Sequence, residues 1–353
     1  ANHHLEEGRH LSDLEWLSGF IALRKLNDPE LALAHFRRFR NAVASPISLG
    51  RAGYWEGRAL EALGRTDDAQ AAYAFGAEYQ TSFYGQLAAE RGGIPTDPAL
   101  LGREEYPDWR NASFLESTVL QAALQLHAEG QTTLAERFLV HLCESLTDTE
   151  MGQLADIAFD LDEPHVALMI AKFAARSGHT LQRAYHPVTD VVRQTLPVED
   201  ALTLAIARRE SEFDPVVVSP AGARGLMQLM PRTGEAMAKK RGEPFSERRL
   251  TTDPAFNARL GTTYLAELIE DFGPNLPLVA AGYNAGPGRP RSWSKRYGDP
   301  RSSKVDAVDW IEHVPFRETR NYIMRVTESY VVYRLRLSGE VRPMEVTKLL
   351  KAK

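Results

Sequence analysis

Glu210 is the residue on which chemistry can be built. It stands near the end of a stretch that reads as a helix. Pro197, Glu199 and Asp200 open it, as the positive end of the helix dipole favours, and Phe213-Asp214-Pro215 stops it. Ile206 lies one turn before Glu210 on the same face, so the carboxylate is expected to point inward. Apolar surroundings and the negative end of the helix dipole both disfavour ionisation, which predicts a raised pKa. A carboxylic acid still protonated near neutral pH is what protonating a glycosidic oxygen requires. Taken alone, a glutamate at a helix end is mostly a solvated surface residue, and three further segments carry the weight.

The first is Ser219-Pro220-Ala221-Gly222-Ala223-Arg224-Gly225, a tight loop running into Leu226-Met227-Gln228-Leu229-Met230 before Pro231 starts another helix. Gln228 sits in an apolar run, where a buried amide needs partners. It either lines a groove and bonds a sugar acetamide, with Met227 or Met230 as an adaptable apolar wall, or belongs to a core of methionines beneath a capped loop. The second is Ala280-Ala281-Gly282-Tyr283-Asn284-Ala285-Gly286-Pro287-Gly288. Its glycines and proline suit a plain helix-ending turn, but the Tyr283 phenol could also bond a carboxyl and hold its orientation. The third, Trp310-Ile311-Glu312-His313-Val314-Pro315-Phe316-Arg317-Glu318-Thr319-Arg320-Asn321-Tyr322, mixes aromatics with charges ahead of a last long helix.

Together, Arg209-Glu210-Ser211, Gly225-Leu226-Met227-Gln228-Leu229-Met230-Pro231, Gly282-Tyr283-Asn284-Ala285-Gly286 and Val314-Pro315-Phe316-Arg317-Glu318-Thr319-Arg320 resemble, in order and spacing, the signature set of the soluble lytic transglycosylases. The likeness covers about 150 residues at the C-terminal end, and Ser82-Phe83-Tyr84-Gly85-Gln86-Leu87-Ala88 is similar to part of that family's superhelical region. The resemblance implies a lysozyme-like domain and a periplasmic enzyme. Its substrate would be peptidoglycan, glycan strands with peptide stems, cut between N-acetylmuramic acid and N-acetylglucosamine to leave a 1,6-anhydromuramyl end. It also implies that Glu210 is the catalytic glutamate and that Ser219, Gln228, Met230 and Tyr283, with Asn284 beside it, line the sugar groove. Glu312 would be an acidic residue there, with Glu318 close by in the same segment.

Ordinary glycosidases use two carboxyl groups. Here no second acid falls in a segment with an obvious nucleophilic role: Glu212 points to another helix face and Asp214 precedes a proline, as a turn cap does. One carboxyl needs help from the substrate. The 2-acetamido oxygen would stabilise the cationic C1 and the muramyl 6-hydroxyl would attack it, with Glu210 giving a proton and then taking one back. No metal or organic cofactor is needed. Two other readings compete: a goose-type lysozyme-like hydrolase on the same fold, and a non-enzymatic scaffold that only holds glycan.

The elements that must position these residues are helical. Up to about residue 180, apolar residues recur three and four apart with abundant alanine. The unit shows best from Tyr54 to Tyr79: a first helix ends at Gly64, and Thr66 or Asp67 is expected to cap a second. Turns at Asn27-Asp28-Pro29, Glu129-Gly130-Gln131 and Leu161-Asp162-Glu163-Pro164 give helix pairs a period near 33 residues. The fold expected is all-α: an α-solenoid of superhelical helix pairs over 1–108, a helical linker domain over 109–180 and the catalytic domain over 181–353. The breaks fall at Arg91-Gly92-Gly93-Ile94-Pro95 and near Ser177-Gly178-His179. Val216-Val217-Val218 allows at most a small β element.

With 43% hydrophobic and 25% charged residues the chain reads as soluble and globular, and no apolar run approaches the ~20 residues of a transmembrane helix. Residues 1–200 hold 17 Lys and Arg against 29 Asp and Glu, a net −12, and residues 201–353 hold 25 against 18, a net +7. A basic C-terminal part suits an anionic polymer. On charge alone nucleic acid competes with peptidoglycan, and a solvated surface with a chance asymmetry explains the charge equally well; no nucleic-acid partner is expected. A solenoid also suits protein partners, here cell-wall synthesis or secretion proteins. Cys143 is the one cysteine and reads as a small core residue. His3, His4, His10, Glu6 and Glu7 could suggest a metal, but the segment is terminal and polar, and no metal site is expected. Full-length members of the family extend further at the N-terminus, so this chain is expected to be a shortened or compact one, with any signal peptide removed or never present.

Overall fold

The computed structural model describes residues 8–353, in which nineteen α-helices are joined by short 3-10 turns, one π-helical turn at Ala22–Leu26 and loops. His3, His4, Glu6 and Glu7 lie outside the described residues. The expectation of an all-α fold holds. Around Val216-Val217-Val218 the chain makes two isolated bridges, Val218 to Arg224 and Arg224 to Leu229, and no strand.

Five helices open the fold: Gly8–Ile21, Pro29–Asn41, Pro46–Ala62, Thr66–Gly76 and Phe83–Gly92, each packed on its neighbour in sequence. Their starts follow from local chemistry. Asp28, Ser45 and Ser82 accept bonds from the backbone N–H groups of Leu31, Ser48 and Gly85, and Pro29 and Pro46 occupy first-turn positions that need no donor. The expected cap at Thr66 or Asp67 is corrected. Arg65 is the N-cap and offers no side-chain bond, so Asp67 and Asp68 serve this helix through its dipole instead. Gly64 does end the preceding helix, at a φ of 70°. Close approach here depends on glycine as well as alanine: a Cβ on Gly53 would lie 2.5 Å from the Gly76 backbone.

Two helix hairpins follow, Thr118–Ala128 with Thr132–Leu142 and Asp148–Asp160 with Pro164–Arg176. They enclose their own core, including Leu120, Leu139, Leu154, Ile170 and the buried Cys143. The largest core ignores chain order. It runs from Trp16, Phe36 and Trp55 of the first helices to Ile206, Trp310 and Tyr322 near the end. The apolar faces of the first and last thirds of the chain are therefore buried against each other.

In the C-terminal part, the helix Asp200–Glu210 lies against the long helix Arg317–Ser338, which also packs on Leu276–Ala285. A smaller core of Leu229, Met237, Leu250, Phe256 and Leu260 supports the loop between Ser211 and Met230. Among the described residues no helix is long and apolar enough to cross a membrane.

Candidate active site

Glu210 is the last residue of its helix, with Ser211 as C-cap. Its side chain is half-buried, and Ile206, one turn back, is wholly buried. Desolvation pushes the carboxyl up to about 7. A hydrogen bond from Tyr322 and the charge of Arg209 pull it down, and the charge of Glu318 pushes it further up. The expected raised pKa is thus present, and burial causes most of it.

The orienting phenol is not the expected one. Tyr322, on the Arg317–Ser338 helix, donates its hydroxyl to Glu210 Oε1 at 2.6 Å. Tyr283 donates to the carbonyl oxygen of Met227 at 2.8 Å and holds the loop instead. Tyr283 still borders the carboxyl, since the charge of Glu210 helps burial raise its pKa, and the same two causes raise that of Tyr322. Tyr322 ends one of the sequence segments singled out above, but nothing in the sequence separates it from the core aromatics of its helix. Its role needs the packing angle between two helices 112 residues apart.

The loop after Glu210 is built on backbone bonds. Ser211 Oγ donates to the Leu226 carbonyl at 2.7 Å, and Asn257, wholly buried, accepts from Met227 N and donates to the carbonyls of Arg224 and Leu250. Gly225 is required where it stands. Its φ is 72°, and a Cβ there would meet the Leu250 carbonyl oxygen at 1.8 Å. Ser219 Oγ accepts from Ala223 N and closes the loop on itself. Gln228, at a φ of 47°, donates its amide nitrogen to the carbonyls of Val217 and Gly225, which leaves its amide oxygen as the group that could meet a ligand. Met227 is wholly buried against Gly261, so Met230, 44% exposed, is the methionine that could face a ligand.

Asn284 joins the last two sequence segments. Its side-chain oxygen accepts from Thr319 Oγ1 at 2.6 Å, and its nitrogen reaches Glu318 Oε1 at 3.5 Å. Glu312, expected as an acidic residue of the groove, is buried in the structure. Its side chain is wholly buried, paired with Arg51 at 2.5 Å and Arg320 at 3.6 Å, and bonded by the Tyr84 hydroxyl. It is a polar contact between the Pro46–Ala62 and Phe83–Gly92 helices and the last part of the chain: Arg51 and Tyr84 both bond its Oε1, while Oε2 has only the Arg320 charge beside it and no hydrogen-bond partner. The exposed Glu318 is the acid whose charge reaches Glu210.

The nearby carboxylates are otherwise committed. Glu212 is ion-paired with Lys172 at 2.5 Å, and Asp214 accepts from Val216 N in a turn. Among the described residues no three His, Cys, Asp or Glu side chains gather in a way that could hold a metal ion. What this arrangement offers chemically is one carboxyl that can give and take a proton near neutral pH, beside polar groups on fixed backbone.

Comparison with known proteins adds to this. Residues 191–305 match the family described as the transglycosylase SLT domain. The chain is 29% identical over 298 residues to the soluble lytic murein transglycosylase of Escherichia coli strain K12, which covers 83% of this chain and 45% of that protein. The crystal structure of the 70 kDa soluble lytic transglycosylase from Escherichia coli superposes with a TM-score of 0.75 at 26% identity, over 97% of this chain and 54% of that one. An inactive mutant of the lytic transglycosylase Slt from Pseudomonas aeruginosa, with glutamine in place of one glutamate, superposes with a TM-score of 0.70 at 28% identity, over 94% and 52%. The chain therefore spans about half the length of the curated relatives it matches.

Proposed function

Because the chain belongs to the soluble lytic transglycosylase family, we propose that it cleaves the β-1,4 bond between N-acetylmuramic acid and N-acetylglucosamine in peptidoglycan, leaving 1,6-anhydromuramyl ends. The observation that carries the reading is Glu210: a helix-terminal carboxyl raised to about 7 by burial and held by Tyr322, with Glu212 and Asp214 tied up elsewhere and Glu318 acting on it through its charge. Glu210 protonates the leaving glycosidic oxygen. The 2-acetamido oxygen of the substrate shields the developing charge at C1. The ionised Glu210 then takes the proton of the muramyl 6-hydroxyl as that oxygen closes on C1, an intramolecular attack that replaces a second protein carboxylate. Ser219, the Gln228 amide oxygen, Met230, Tyr283 and Asn284 border the glycan, with Glu318 as the acidic residue in place of Glu312. No metal or organic cofactor takes part. The basic C-terminal part meets the anionic polymer, in the periplasm, and the helical first half is the superhelical and linker scaffold, with a surface for cell-wall synthesis or secretion proteins.

The test is digestion of purified sacculi followed by mass spectrometry of the soluble products. Anhydromuropeptides that disappear with Glu210→Gln are expected. Products with reducing ends alone would identify a hydrolase of the goose-type lysozyme kind, and undiminished turnover by Glu210→Gln would remove Glu210 from the mechanism.

A further inference from the structure

The chain makes a strained turn immediately after Glu210. Glu212 and Phe213 follow with φ of 53° and 69°, two consecutive non-glycine residues in the left-handed region. Each Cβ there crowds neighbouring backbone, so such a pair persists only where its surroundings impose it. Part of the restraint is local: the Phe213 ring is buried, and Ser211 Oγ is bonded to the Leu226 carbonyl.

The rest comes from the second helix hairpin. On the Pro164–Arg176 helix, His165 Nδ1 lies 2.9 Å from the carbonyl oxygen of Glu212, and Lys172 Nζ lies 2.5 Å from its Oε1. The other ring nitrogen of His165 faces Glu136 Oε2 at 3.4 Å, on the Thr132–Leu142 helix. A carbonyl and a carboxylate both accept, so this setting favours the ring with hydrogens on both nitrogens. Burial lowers the His165 pKa, but the bonds to Glu136 and the Glu212 carbonyl outweigh it and hold the group above the ordinary histidine value. Pro164, Phe213, Pro215 and Leu226 also border one open cleft of about 650 Å³, so hairpin and turn meet at its wall.

We propose that His165 and Lys172 are positioning residues for Glu210: they grip the carbonyl and the carboxylate of Glu212, and so hold the left-handed turn that aims the Glu210 carboxyl at Tyr322. The hairpin is then part of the catalytic apparatus and not a spacer. This rests on Glu210 being the acid of the proposed reaction.

The test uses the whole chain with His165→Ala and Lys172→Met, singly and together, against His165→Asn and Lys172→Arg, which keep an N–H donor and a cation. A misdirected acid slows chemistry without weakening binding. The truncating variants are therefore expected to lose roughly tenfold in kcat with KM within about twofold, as small misplacements of reacting groups do. The conservative variants should regain most of it. The Glu210 titration, followed by carboxyl carbon NMR, should move down toward the ordinary glutamate value in the double variant, because water reaching the loosened group removes the largest cause of the shift and outweighs the upward effect of a lost Tyr322 bond. Unchanged kcat in the double variant, a rise in KM alone, or equal losses in conservative and truncating variants that merely follow the melting temperature would each overturn the proposal. If the wild-type chain releases no glycan product, the proposed reaction is what has failed. The NMR titration then still decides the clamp, and an unmoved Glu210 midpoint in the double variant refutes it.

Discussion

Replacing Glu210 with glutamine removes the charge of the proposed acid while keeping its shape and an acceptor for the Tyr322 hydroxyl. The Glu210 carboxyl titrates at about 7 in the folded protein, against 4.5 for an unperturbed glutamate. That gap of about 2.5 pH units corresponds to roughly 3 kcal/mol at about 1.36 kcal/mol per unit. The sign follows from which state holds the proton more tightly. Below pH 4.5 both folded and unfolded chains keep Glu210 neutral and no stability is lost. Between 4.5 and 7 the unfolded chain ionises first, so the folded protein loses stability steadily, and above 7 the loss is complete. Glutamine has nothing to ionise. Glu210→Gln should therefore match wild type within a few tenths of a kcal/mol near pH 4.5 and exceed it by up to about 3 kcal/mol at pH 8.5. Denaturant unfolding of both proteins at four values across that range measures the difference directly, since every other titrating group cancels between them. A difference that stays flat with pH would refute the desolvated carboxyl, and with it the raised pKa on which the acid role depends. The more stable protein should also be the inactive one, because a group poised for chemistry is kept at a cost to the fold.

Other perturbations probe the neighbours. The Tyr322 hydrogen bond lowers the Glu210 pKa, so Tyr322→Phe should move the alkaline limb of the pH–rate profile to higher pH and reduce kcat by about tenfold or more; an unmoved limb would show that the bond is not made. Glu312→Ala strands Arg51 and Arg320 and should cost about 3 kcal/mol in unfolding experiments with little change in the KM for glycan. A large rise in KM with intact stability would return Glu312 to the groove. Gly225→Ala forces a left-handed alanine into the Leu250 carbonyl and should lower stability by more than about 2 kcal/mol, visible as a drop of several degrees in Tm.

Much of this was legible in residue order because its causes are local. Helix periodicity, the Asp28 and Ser45 caps, the Gly64 ending and the carboxyl at the close of an apolar helix each depend on residues within a turn or two of one another. The resemblance carried by the four segments pointed to one domain type, and residues 191–305 match it. What tertiary structure alone decided are the partners across long stretches of chain. Tyr322 and not Tyr283 bonds Glu210, Glu312 is buried at a junction with Arg51 and Tyr84, and His165 reaches the carbonyl of Glu212. A phenol or a carboxylate has the same local signature in either role. Which one it takes depends on the angle and depth at which two distant helices meet, and that is set by how the whole apolar core closes.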